Sequence, residues 1–232
     1  MLEIACFNSA SAITAAKAGA DRIELCADYA AGGVTPSFSA LQDIRKATTI
    51  PVNVMIRPRE GNFNYSKEEF QQMKDAIALF KPLASGFVFG ILNFQHHLDD
   101  IRNRELVQMA APLPCTFHRA VDQVEELEEA VEKVIECGFK SVLTSGGMRS
   151  AAEGAERVKR LQEASGSWIT LILGGGVRST NVEDLKRRTG VQWLHSAAIT
   201  LPGEDVDDEE VRKMQELLEP FQQPSSELFS HV

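Results

Sequence analysis

Residues 116–122 place His118, Arg119 and Asp122 at the end of a short apolar run that starts at Pro114. Titratable groups at the end of a buried strand are costly unless a ligand or a partner neutralises them. In α/β proteins such strand ends are where ligand sites collect. Similar loaded ends recur along the chain. Glu24 and Cys26 close one apolar run, Arg57 another, and His195 and Ser196 a third.

Side chains alternate between the two faces of a strand. If Ile23 and Leu25 face an outer helical layer, Arg22, Glu24 and Cys26 face inward. The same parity turns Glu3, Asn53, Met55, Arg57, Thr116, His118, Trp193 and His195 inward. A cluster of Glu3, Glu24, Arg57, His118 and His195 is therefore expected to line the mouth of a barrel. Carboxylates beside arginine and histidine suit general acid–base work, since each neighbour sets the pKa of the next. His118, Glu24 and Arg57 are the expected catalytic groups. The alternative is an internal ion-pair network that only fills the interior.

Gly174, Gly175 and Gly176 precede Val177, Arg178 and a helical pattern. Glycines let a backbone come close to a ligand, and a following helix adds its dipole, so this run is expected to hold a phosphate or another anion. Ser196 would complete the site, with Thr144, Ser145 and Arg119 as neighbours. A tight turn and a plain helix cap are the competing readings. Cys6 and Cys26 end adjacent strands, and a thiolate pair without carboxylate ligands suits a soft ion such as Cu(I). Parity sets Cys6 opposite Cys26 unless the chain turns after Ala5, and buried core cysteines are the alternative. The adjacent His96 and His97 read as a solvated loop.

These residues need elements to hold them. Short β-branched or apolar runs alternate with helical periodicity throughout. Strands are expected at residues 2–6, 22–26, 51–57, 86–92, 113–118, 141–144, 169–173 and 192–195. Helices are expected near 9–18, 38–47, 66–80, 99–110, 123–137, 151–164, 181–188 and 207–219. Ser66 and Glu69 form a capping-box pattern, and Gly138 sits where a C-cap glycine belongs. Eight strand–helix units without a second compositional region predict a single-domain (β/α)8 TIM barrel over residues 1–220, with a doubly wound sheet as the alternative. Residues 221–232 read as a frayed tail.

The net charge of −9 and the lack of a basic stripe exclude a nucleic-acid partner. No apolar run reaches the roughly 20 residues a membrane span needs. Strand-like residues begin at Leu2 with no basic segment before them, so a secretory signal is not expected. The four cysteines show no CxxC spacing, and in this setting they are expected to be reduced thiols of a cytoplasmic protein.

The run Arg22 to Cys26, the segment Gly32 to Ser37, and Ile56 to Arg59 with Gly61, Phe63 and Tyr65 carry a resemblance. So do residues 116–122, Leu143 to Gly146, Gly176 to Arg178, and His195 with Ser196. Through them the chain resembles the CutC copper-homeostasis family, from the first strand to about residue 200. The resemblance implies a (β/α)8 barrel, a cytoplasmic location, a homodimer or higher assembly, and copper tolerance through Cu(I) held by Cys6 and Cys26. It assigns no reaction. Two segments depart from the family pattern: residues 93–97, and Ala197 to Ile199 after Ser196. Two functions follow as expectations. One is a Cu(I)-binding protein. The other is an enzyme acting on a small anionic or phosphorylated metabolite, with Gly174, Gly175, Gly176 and Ser196 on the anion.

Overall fold

The computed structural model describes residues 1–222, so most of the expected tail lies outside the described residues. Its elements run β1 Leu2–Cys6, α1 Ser9–Lys17, β2 Arg22–Leu25, α2 Phe38–Ala47, β3 Val52–Met55 and α3 Lys67–Phe80. Then come β4 Gly86–Phe89, α4 Asp100–Ala110, β5 Cys115–Phe117, a 3-10 turn Arg119–Gln123, α5 Leu127–Glu136 and β6 Ser141–Thr144. The chain continues through α6 Ala151–Ser165, β7 Thr170–Leu173, α7 Val182–Thr189, β8 Trp193–Ser196, α8 Asp208–Leu218 and a last 3-10 turn Glu219–Phe221. All eight strands are parallel neighbours in chain order, and β8 returns to β1 to close a barrel. The expected (β/α)8 fold is the fold observed.

Alternation sorts the side chains into two layers. Leu2, Ile4, Ile23, Leu25, Val52 and Val54 join the helices in the large outer core. Ala5, Cys26, Met55 and Val88 meet inside the barrel with Phe7 and Ile199. Register decides which inward groups become neighbours. Glu3 pairs with Arg22 on one side and His195 on the other, and Glu24 lies between Ala5 and Asn53. No helix among the described residues is long and apolar enough to cross a membrane.

Local signals place several boundaries. Ser66 and Glu69 form the expected capping box at α3. Gly138 has φ +95° just past α5, a conformation glycine adopts without strain. Four expected strands stop short, β2 by one residue at Leu25. β3 ends at Met55, β4 at Phe89 and β5 at Phe117, so Arg57 and His118 stand on loops beyond the ladder rather than within it. The helix expected over 123–137 is also broken. His118 caps the turn Arg119–Gln123, and α5 starts only at Leu127. Asp122, within that turn, gives its carboxylate to the neighbouring β6 loop.

Gly154 sets the distance between α6 and that loop. A Cβ on Gly154 would sit 1.7 Å from the Ser145 carbonyl oxygen, a backbone atom that cannot rotate away. Gly154→Ala is expected to destabilise the protein by about 1–3 kcal/mol. Chemical denaturation should show a lower midpoint at unchanged slope; a wild-type midpoint would show that α6 does not hold this position.

Candidate functional site

The strand ends and the loops after them enclose a pocket of about 300 Å³ at the C-terminal mouth of the barrel. Glu24, Cys26, Met55, Arg57, Phe63 and His118 line one side; Arg119, Gly175, Gly176, Arg178, His195 and Ser196 line the other. This is the face on which barrels of this type carry their chemistry.

A chain of buried charge rises through the interior to this pocket. Arg22 Nε donates to Glu3 Oε2 at 2.5 Å, and His195 Nδ1 lies 2.7 Å from Glu3 Oε1. His195 Nε2 is 3.8 Å from Glu24 Oε2, and the Cys26 thiol donates to that same oxygen at 3.5 Å. Burial alone would raise Glu3, but the His195 hydrogen bond and the Arg22 charge hold it below the usual carboxylate range. Burial would lower His195, and the charges of Glu24 and Glu3 reverse this, so its pKa is raised. Glu24 moves upward, because burial outweighs the attraction of His195. Burial, then the Glu24 charge, pushes both the Cys26 and Cys6 thiols well up, so both are protonated at neutral pH.

Glu3, Glu24 and His195 are the one trio of potential metal ligands among the described residues whose ligand atoms lie within 4.8 Å of one another. Arg22 already neutralises Glu3, and Glu3 already occupies His195 Nδ1, so the trio reads as an internal relay. The expected Cu(I) pair is divided between layers. Cys26 belongs to the interior cluster, whereas Cys6 packs in the outer core with its thiol directed to the Ile4 carbonyl at 3.7 Å. A two-thiolate site does not fit this arrangement without a change in the conformation of Cys6.

Of the expected anion-binding residues, Arg119, Gly175, Gly176 and Ser196 line the pocket, and Gly174, Thr144 and Ser145 do not. Gly174 instead makes room for its neighbours; a Cβ there would come within 2.8 Å of Leu143 and 3.3 Å of His195. Thr144 and Ser145 are occupied by a carboxylate from their own chain. Asp122 accepts from Thr144 Oγ1 at 2.5 Å, from the Ser145 amide at 3.1 Å, from Ser145 Oγ at 3.0 Å and from the Gly147 amide at 3.0 Å. It also binds Arg119 Nε at 2.9 Å, so Arg119 is partly neutralised. Ser196 Oγ is taken too, donating to the Val177 carbonyl at 2.7 Å and accepting from Arg178 and the Ala198 amide.

Two residues take roles that the sequence pattern does not assign. Arg178, there only the lead-in to a helix, enters the pocket with its guanidinium held by the Val177 and Ile199 carbonyls and Ser196 Oγ. Asp122 fixes the β5 and β6 loops together. The signal for it was the donor-rich sequence Thr144 to Gly147, which demands a buried acceptor.

Arg57 and His118 lie side by side, and Glu24 lines the same pocket. Arg57 donates to the Ala31, Gly33 and Gly61 carbonyls at 3.0 Å each and lies over the Phe63 ring. His118 Nδ1 accepts from the Ala120 amide at 3.3 Å, and its ring packs 4.8 Å from Phe63. Burial, helped by the Arg57 charge, lowers His118 to about 3. Glu24 Oε1, Arg57 Nε and His118 Nε2 are buried and make no hydrogen bond. Each such atom costs about 1–3 kcal/mol, which is tolerated where a ligand supplies the missing partner.

A model of the CutC family matches residues 1–200. The human protein named copper homeostasis protein cutC homolog is 41% identical over 199 residues, spanning 85% of this chain and 73% of that one. A family protein CutC from Enterobacter sp. (strain 638) is also 41% identical over 199 residues, spanning 85% and 80% respectively. The solved structure of CutC from Streptococcus agalactiae has a TM-score of 0.80 at 31% identity and covers 86% of this chain and 99% of its own. With matching sequence through all eight strands and the same barrel architecture, the chain belongs to the CutC family.

Proposed function

We propose that this CutC barrel is an enzyme acting on a small anionic metabolite held at its C-terminal mouth. The charge of the pocket carries the reading. Arg57, Arg119 and Arg178 line it against one carboxylate, Glu24, in a chain whose net charge is −9. Arg57 and Arg178 are held by carbonyl and hydroxyl oxygens, with no acidic partner among the described residues, so their charge remains available to a ligand. A concave, partly desolvated wall concentrates that field on an anion. Arg178, with Gly175 and Gly176, suits the anionic end; Glu24, Arg57 and His118 face the reacting end. Glu24 is the group assigned to proton transfer. A cytoplasmic location is supported by four cysteines that are all free and buried.

A thermal-shift panel of inorganic phosphate and phosphorylated metabolites tests this reading. A true ligand at a hundredfold excess over its Kd should raise Tm by about 5–10 °C. Arg178→Met should lose most of that shift. A panel in which no anion stabilises the wild-type protein would sink the proposal.

Cu(I) binding at Cys6 and Cys26 is the second reading, favoured by the copper homeostasis name of the human relative and by Cys26 on the pocket wall. It requires both thiols to lose protons that burial holds in place, and it requires Cys6 to leave the outer layer. Competition titration with Cu(I) under anaerobic conditions separates the readings. Copper at this pair predicts at least about a tenfold affinity loss, about 1.4 kcal/mol, in both Cys6→Ser and Cys26→Ser. Unchanged affinity in both variants removes the copper site.

A further inference from the structure

The orientation of His118 determines what it can do. The Ala120 amide lies 3.3 Å from Nδ1 and favours a lone pair there with the ring proton on Nε2, in competition with the ring's contact to its own backbone carbonyl, which favours the other tautomer. Reversing the tautomer would set two N–H groups against each other. The ring has little freedom to turn and escape this. A Cβ at Gly90 would lie 2.8 Å from His118 Nδ1 and 2.9 Å from Cε1, so Gly90 is the floor on which the imidazole rests. Phe63 packs against the ring at 4.8 Å and Phe117 at 6.0 Å. Asn103 pins the strand end beside Gly90, accepting from the Ile91 amide at 3.1 Å and donating to the Ile91 carbonyl at 2.8 Å. Burial and the Arg57 guanidinium, the charged group that acts on the ring, disfavour a second proton.

We propose that His118 serves as a neutral hydrogen-bond donor through Nε2, and that the ligand of this pocket presents an uncharged acceptor oxygen, a carbonyl, to that nitrogen. This rests on the anionic-metabolite reading and narrows it to carbonyl-bearing anions. Nε2 is buried and unpartnered, on a residue that lines the pocket. A general base there would need the lone pair that the Ala120 contact disfavours. A neutral donor matches an oxygen that is uncharged in the ground state and gains charge as its bonds change, the arrangement that favours the transition state over the substrate. Partly exposed Phe63 covers the ring from the pocket's rim.

Two measurements test the proposal separately. Long-range proton–nitrogen NMR of the full chain with labelled histidine, assigned with His118→Gln, reads the tautomer directly among five histidines. His118 should be protonated at Nε2 alone and should not titrate between about pH 5 and 8. Protonation at Nδ1, or a midpoint in that window, overturns the donor role. The second measurement compares 2-oxopropyl phosphate with propyl phosphate, which differ only in the carbonyl. The ketone should bind about three- to tenfold tighter and shift the His118 Nε2 signal. That preference should vanish in His118→Leu and persist in His118→Gln, which retains a neutral donor. Equal binding of the two probes by wild type overturns the carbonyl assignment. Binding of neither, while another anion of the thermal-shift panel stabilises the protein, overturns the carbonyl assignment and leaves the anionic-metabolite reading standing. Stabilisation by no anion at all overturns both, while an Nε2 proton seen in the first experiment still upholds the donor.

Discussion

Glu3 is the interaction on which the interior depends. It is 1% exposed at the centre of a barrel, and it is held there by the Arg22 guanidinium on one flank and a hydrogen bond with His195 on the other. An isolated carboxylate in that position would be protonated or expelled. Closure of β8 onto β1 supplies His195, and the pairing of β1 with β2 supplies Arg22. The barrel and the ion chain therefore specify each other: a register slip by one residue would reverse every side chain on a strand and leave Glu3 among the aliphatic residues of the outer layer. The chain also sets conditions at the mouth, because His195 stands between Glu3 and Glu24 and couples their charges.

The loops above the barrel divide into those whose polarity is satisfied and those whose polarity is not. Asp122 satisfies the amides and hydroxyls after β6 as an anion would, and in doing so ties the β5 and β6 loops into one unit. Arg57 and Arg178 are anchored by carbonyls that fix their positions without cancelling their charge. His118 is pinned by a backbone amide on one nitrogen and left open on the other. Rigid placement with unmet hydrogen-bonding capacity is what a preorganised ligand site requires. It is more than the storage of a soft ion by two thiols would need, and the two thiols in question lie in different layers.

Much of this was legible along the chain. Period-two and period-3.6 patterns alternate without interruption, and that alone predicts a barrel of eight units. Parity turned Glu24, Arg57, His118 and His195 toward the barrel mouth, because inward and outward positions on a strand differ so sharply in the cost of burying charge; Glu3 faces inward too but lies outside the mouth, held by Arg22 and His195. Parity also placed Cys6 opposite Cys26. Strand ends were less legible, because β3, β4 and β5 stop where the ladder runs out of partners, and no single segment carries that information.

Composition and periodicity thus determined the architecture and the group of residues available for chemistry, since burial cost and side-chain alternation are local properties. What those residues are free to do was decided by tertiary structure. Asp122 took the donors after β6, Ser196 was spent on Val177 and Arg178, and Ala120 took His118 Nδ1 as its acceptor. Each of these is a competition between hydrogen-bonding partners drawn from different segments, and it resolves only when the barrel closes. The motif at residues 116–122 announced a site; the fold decided that its aspartate is structural, its arginine partly neutralised, and its histidine open on one nitrogen.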